Sequence, residues 1–449
     1  MRRAVGSLLS RIPLVFQNTF MKRQMKIARS SLVVPSFLEQ SISSAGNFLV
    51  FYMLARFLGP SHFGIFSAIW VGIMFFLALG SAWVSTALSS VRVPRDREAA
   101  FAGVCLGRLL RVLGLTAVLL PVVLVVSVSE INSRPSSLLV SVALGITTLI
   151  NEFVRRYMAR RGLPGLSAVM GTVRYGTSGT LVILTYLFGI LSFHAALACL
   201  CFGDCAGILT VAWFIKTRDL NQRVAKDAKL AVSINALARP VLVHNLITAV
   251  AGVVTAGLAR HWIDNAAYGA YAAIMSLCGV FAVFVQLVDI HYSSNLIRRM
   301  GGPPPSTRQH NVLLAAALIA ATILFFCRHW IVGELLLPQY AAYALLLPIL
   351  GCNAMVIVLK QIGNAELRVQ GYNQIYYVHG LIRVAGMILL PLVILFPKAI
   401  ESVAVLNLLV AMAQLLAVRG MLIKTRSDKK ATIPRSSLQA DAPICREAA

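Results

Sequence analysis

Phe63-Gly64-Ile65-Phe66-Ser67-Ala68-Ile69 returns 205 positions later as Tyr268-Gly269-Ala270-Tyr271-Ala272-Ala273-Ile274. The shared pattern, aromatic-Gly-x-aromatic-x-Ala-Ile, follows an apolar stretch that opens at Pro35 in the first copy and at Pro240 in the second. A second pair of segments keeps the order: Arg161-Gly162 with Gly171-Thr172-Val173-Arg174, then Gln370-Gly371 with Gly380-Leu381-Ile382-Arg383, at a spacing of 209. Two matched blocks in one order, separated by slight loop drift, read as an internal duplication of the kind found in membrane transporters. Chance matching among Gly, Ala and aromatic residues is the competing reading.

Composition identifies the solvent. With 449 residues, 58% of them hydrophobic and 13% charged, and a mean hydropathy of +0.79, the chain is expected to be an all-α polytopic membrane protein. Hydropathy marks twelve spans, at residues 36–57, 63–90, 104–128, 136–157, 166–190, 193–215, 240–262, 268–291, 312–332, 343–365, 375–396 and 400–422. Each is long enough to cross about 30 Å of hydrocarbon at about 1.5 Å per residue. The expected layout is two repeated six-helix lobes, residues 32–215 and 240–424, joined by a polar linker over 216–239.

Before the first span lies a basic arm, residues 1–31, in which Val5, Leu8, Leu9, Ile12, Phe16 and Phe20 share one helical face. It is expected to lie on an anionic cytoplasmic surface. Its Arg-rich composition also resembles an organellar transit sequence, and a start at Met21 or Met25 is a further alternative. Residues 425–449 form a basic tail expected to be disordered.

Charge orients the spans. Of 41 Lys and Arg, 33 fall on the side of the termini if the spans alternate, which places both termini in the cytoplasm of a cell with an inner membrane. The net charge of +25 is then topological and implies no nucleic-acid partner. No phosphate-binding loop, hydrolase elbow or zinc-protease pair occurs, and the outer loops are short, so an enzyme is not expected. Cys199, Cys201 and Cys205 point to different helix faces without a completing His, and neither metal nor cofactor is expected.

Ionisable residues within spans are the informative exceptions, because an unpaired Arg at mid-membrane costs at least about 3 kcal/mol. Arg174 and Arg383 fall at equivalent depths, near the middle of the fifth and eleventh spans, where two guanidinium groups would face each other between the lobes and bind an anionic headgroup. Structural pairing with a carboxylate is the alternative. Glu39 and His244 occupy equivalent places in the first and seventh spans and are candidates for ion coupling, unless they reach the headgroups instead. Arg56 and Arg260 close the outer ends of those spans and are candidates for guiding anionic cargo. Asp204 and Asp289 are further buried carboxylates, read as counter-ions or ion sites, and Glu152 as the local partner of Arg155 and Arg156.

The run from Asn47 to Phe66, with Leu58-Gly59-Pro60 and Phe63-Gly64, resembles the first hairpin of polysaccharide biosynthesis proteins. These are the Wzx-type lipid-linked oligosaccharide flippases of the multidrug/oligosaccharidyl-lipid/polysaccharide (MOP) exporter superfamily. The resemblance implies a V-shaped pair of six-helix lobes around a cationic cavity. It implies a polyprenyl-pyrophosphate oligosaccharide as cargo, polysaccharide polymerase or assembly proteins as partners, membrane lipids as surroundings and a monomer as the working unit. An ion-coupled exporter of organic cations from the same superfamily is the alternative, kept open by Asp204, Asp289 and Glu39. From a different class, a membrane glycan polymerase or ligase would need a large outer loop that the sequence lacks.

Overall fold

The computed structural model describes residues 14–85, 88, 98–132, 135–161, 163–215, 228–279, 319, 322–369, 372, 374–396 and 399–431. Asp289, residues 1–13 and most of the tail lie outside them. In the first half, α1 spans Leu14–Gly80, α2 Glu98–Ser127, α3 Pro135–Arg160, α4 Pro164–Leu187 and α5 Phe193–Ile215. In the second, α6 spans Ala228–Trp262, α7 Asn265–Leu277, α8 Leu346–Val369, α9 Ile375–Ile394 and α10 Ala399–Ala431.

α1 is two helices. Gly59 breaks it with φ 71° and ψ 170°, a conformation that a Cβ would strain, and Pro60 then starts the second arm without needing an N–H partner. A π-helical turn, Ser81–Ser85, ends the second arm. Among the described residues eight helical segments are long and apolar enough to cross a membrane, and one of them, Ser41–Val84, is 44 residues long and folds back at Gly59. The expected boundaries shift at three places. α1 begins at Leu14, inside the expected basic arm. α6 begins at Ala228 inside the expected linker, and α10 continues to Ala431, beyond the expected start of a disordered tail.

Side chains that water would not tolerate cover the outside. Leu119, Val122, Val126, Leu187, Leu389 and Leu392 are exposed, Val126 at 82%, and all sit on helices whose backbone groups are satisfied internally, as hydrocarbon requires. Lipid supplies no hydrophobic drive between helices, so close packing must replace it, and small residues are found where two helices cross most closely.

The two halves pack alike. In the first, α4 lies against the first arm of α1 and against α5, which also packs on α3; in the second, α9 lies against α6 and α10, which also packs on α8. The correspondence extends to single atoms. A Cβ on Gly171 of α4 would stand 3.7 Å from Ile42, and one on Gly380 of α9 would stand 2.8 Å from Ile247, the residue 205 positions after Ile42.

The halves meet along the second arm of α1 and α7, the helices that carry the repeated motif. A Cβ on Gly64 would overlap the carbonyl oxygen of Asn265, and one on Gly269 would overlap that of Pro60. These contacts are reciprocal, since Asn265 stands 205 positions after Pro60 and Gly269 as far after Gly64. Glycine is therefore required at both positions so that two backbones can touch about a local two-fold relation. Phe63, Phe66, Ile69 and Ile73 from α1 and Tyr268, Tyr271 and Ile274 from α7 fill the buried core around this crossing.

Candidate functional site

Each half encloses a polar cluster at mid-height. In the N-terminal half Arg174 lies ten residues into α4, about 15 Å along its axis. Its Nε is ion-paired with Oδ1 of Asp204 on α5. Asp204 is 1% exposed and its other oxygen accepts from the Thr148 hydroxyl at 2.6 Å and, more weakly, from Thr147 at 3.4 Å. Asn151, one turn beyond Thr147 on α3, donates to the Asp204 backbone carbonyl at 2.9 Å. Gly203 and Gly207 bring α5 this close, since a Cβ on Gly203 would overlap Ser178 Oγ and one on Gly207 would stand 3.2 Å from Arg174 Cβ. The Gly-x-x-x-Gly spacing around Asp204 is a recognised helix-packing signal and marks this helix face in the sequence.

A second group lies nearer the start of the first arm. Arg155 Nη1 reaches Glu39 at 3.1 Å, while its Nε donates to Glu152 at 3.0 Å and Arg156 Nε donates to Glu152 at 2.7 Å. Glu39 also accepts from Ser167 at 3.3 Å. Arg155, Arg156 and Arg174 thus each meet a carboxylate, whereas the buried Arg108 of α2 donates to the Trp83 carbonyl at 3.3 Å.

The C-terminal half uses neutral partners. Arg383 lies in the middle of α9, and its Nη1 donates to Asn407 Oδ1 on α10 at 3.0 Å. Asn407 in turn donates to the Tyr271 hydroxyl at 3.2 Å. Lys360 Nζ donates to Gln414 Oε1 at 2.7 Å, and Gln414 donates to the His379 carbonyl at 3.0 Å. His379 Nε2 and Asn364 Oδ1 are 2.9 Å apart, and the His244 ring stands 5.7 Å from the rings of both His379 and Tyr376. A narrow cleft beside Arg383 is walled by Ala251, Thr255, Gly386, Leu390 and Val410.

At the Gly59 end the halves are clasped. Arg260, at the end of α6, donates through Nη2 to Glu130 at 2.6 Å and through Nη1 to the Ser127 carbonyl at 3.2 Å, while Asn265 donates to the other Glu130 oxygen at 3.0 Å. Burial pushes the Glu130 carboxyl up, but the Arg260 hydrogen bond and charge, with help from Asn265, outweigh it and hold the group below the usual carboxylate range. From the opposite half, Arg56 Nη1 donates to the carbonyls of Glu334 at 3.3 Å and Leu335 at 3.0 Å. Tyr340, fully buried, donates its hydroxyl to the Ala55 carbonyl at 2.8 Å.

The sequence residues are therefore brought together differently from the expected arrangement. Arg174 and Arg383 do stand at matching depths, but each bonds the last helix of its own half and neither has the other as a partner. Glu39 and His244 likewise remain in separate clusters, because Glu39 is drawn to Arg155 and His244 to an aromatic pair. Arg56 and Arg260 reach across to the opposite half instead of standing open at its outer ends. Asn407, Gln414, Glu130 and Tyr340 were not marked by sequence, since neutral or single polar residues gain their meaning only from partners far along the chain.

Comparison with solved structures places this arrangement. A multidrug resistance MATE family transporter of the MOP superfamily, in an inward-facing conformation, superposes with a TM-score of 0.62 at 12% identity, over 89% of this chain and 100% of the other. The MATE multidrug transporter DinF-BH superposes at 0.61 with 14% identity, covering 89% of this chain and 96% of its own. The chain has the MATE fold. A further MATE crystal structure agrees at 0.60 and 13% identity, covering 89% of this chain and 96% of the other. No family model and no curated protein matches the sequence.

The MATE fold corrects the expected cargo and partners. Two of the solved structures that share it are named multidrug transporters and none of the three is named an oligosaccharide flippase, which overturns the reading of a lipid-linked oligosaccharide flippase served by polysaccharide polymerase or assembly proteins. The physical reason lies in the hairpin that carried the resemblance. Gly59 makes a turn and Gly64 makes a backbone contact, so these residues serve the architecture common to the fold and bear no cargo information.

Proposed function

We propose that the chain is a MATE-type secondary transporter that exports organic cations across the cytoplasmic membrane by alternating access, driven by inward movement of a cation. The observation that carries the reading is Asp204, a carboxylate buried at mid-height of a MATE-fold lobe and held by a single guanidinium and two hydroxyls. Protonation of Asp204 would release Arg174 and disrupt a contact that joins α4 to α5. An ion taken up at one face thereby changes the packing of the lobe. Glu39, tied to Arg155, is a second carboxylate that the same exchange would engage.

The clasped Gly59 end is read as the outer face, with both termini cytoplasmic, and the state as inward-facing, like the comparison structure so named. Everted membrane vesicles bearing the protein should accumulate ethidium when a proton gradient is imposed, and Asp204→Asn should abolish the uptake at matched expression. Vesicles that show no gradient-dependent ethidium uptake with the intact chain would refute the proposal. Reporter fusions at the two termini test the orientation separately.

A further inference from the structure

The two halves treat the same buried arginine in opposite ways. Arg174 and Arg383 are repeat equivalents, and each bonds a residue on the last helix of its half. In the N-terminal half that residue is Asp204, whose carboxylate neutralises the guanidinium through Nε. In the C-terminal half it is Asn407, which gives Nη1 a neutral acceptor and leaves the buried Nε without a hydrogen-bond partner. Glu39 has a similar counterpart in His244, again an acid replaced by a group without negative charge. Lys360 adds a second cation whose hydrogen bond goes to the amide of Gln414. The carboxylate on the same helix, Glu366, lies six residues past Lys360, about 240° around α8, and Glu401 sits in the first turn of α10. Among the described residues, the inner C-terminal half is consequently short of the anion that its twin contains, Asp289 lying outside them.

We propose that this half binds a monocarboxylate with an aliphatic body, its carboxylate on Arg383 and its chain in the cleft walled by Ala251, Thr255, Gly386, Leu390 and Val410. The ligand takes the place that Asp204 takes in the other half. A guanidinium edge holds a carboxylate through two parallel N–H donors, and Nε is one of the two that such an edge presents. The hydrogen bond from Nη1 to Asn407 holds the group in orientation without consuming its charge. Aliphatic walls suit a single charge carried on an apolar tail and give a second phosphate charge no partner. This site goes beyond the transport reading and stands independently of it.

Isothermal titration of hexanoate into the full chain in nanodiscs is the test, with hexylammonium and inorganic phosphate as comparison probes. The intact protein should bind hexanoate saturably, and binding should weaken at least tenfold in Arg383→Gln and in Asn407→Asp. The second variant guards against misfolding, since its new carboxylate reproduces the Arg174–Asp204 pair and should leave the melting temperature unchanged or higher while occupying the site. Absence of saturable hexanoate binding overturns the proposal, as does binding unchanged by Asn407→Asp. Preference for hexylammonium or phosphate overturns the ligand class. Because the readout is binding, a negative result leaves ethidium transport unaffected, and a failure of ethidium transport leaves this site intact.

Discussion

A buried ion pair is a poor source of net stability and a strong source of dependence between its members. Taking Asp204 and Arg174 out of water is costly for each, and their attraction roughly repays that cost only while both are present. Asp204→Asn should therefore destabilise the protein by roughly 3–5 kcal/mol, because it strands a guanidinium at mid-membrane. The double variant Arg174→Gln with Asp204→Asn should recover most of that loss, as measured by thermal unfolding in detergent, yet remain inactive in ethidium uptake. Recovery of both stability and transport in the double variant would show that the pair is structural. The depth of Arg174 was legible in the sequence from its place in an apolar span. That a carboxylate balances its charge was legible as an alternative, with Asp204 read as a counter-ion; that these two residues are each other's partners was not, since Asp204 lies 30 positions away on another helix and only folding brings the two together.

At the level of helices, the repeated motif was legible because its glycine does the same work twice. Small residues at a crossing leave a sequence trace, whereas the partners of a polar side chain leave none, which is why Gly64 and Gly269 could be read and Asn407 and Tyr340 could not. A methyl at either glycine meets a backbone carbonyl that cannot swing aside. Gly64→Ala and Gly269→Ala should each lower the melting temperature by several degrees and impair transport. Gly107→Ala and Gly114→Ala, where a Cβ meets nothing within 4 Å, serve as neutral controls. Gly59→Ala should cost about 1–2 kcal/mol for a different reason, the positive φ of the turn between the two arms of α1. Equal tolerance at Gly64 and Gly107 would mean that the crossing is looser than its geometry indicates.

For the whole molecule, the proposed alternating access turns on what holds the Gly59 end shut. Three clasps span the halves there: Arg260 with Glu130, Arg56 with two carbonyls, and Tyr340 with Ala55. Charge-assisted bonds of this kind contribute roughly 1–2 kcal/mol each, which is about a five- to thirtyfold bias in a two-state equilibrium. Arg56→Ala and Arg260→Ala should each shift the population toward the state open at this end, and the two together should shift it further. Spin labels placed across the clasp and read by electron–electron distance measurement report the shift. The Glu130 clasp also has a pH signature. Its carboxyl is held below the ordinary value in the clasped state, so closure is favoured in full above about pH 4.3, where an unclasped glutamate is already ionised. The bias is lost as pH falls through the depressed value and Glu130 takes up a proton. Acid should therefore widen the label distance at this end in the intact protein, whereas Glu130→Gln should give the wider distribution at neutral pH and lose the acid response. An acid response that persists in Glu130→Gln would assign the titration to another group.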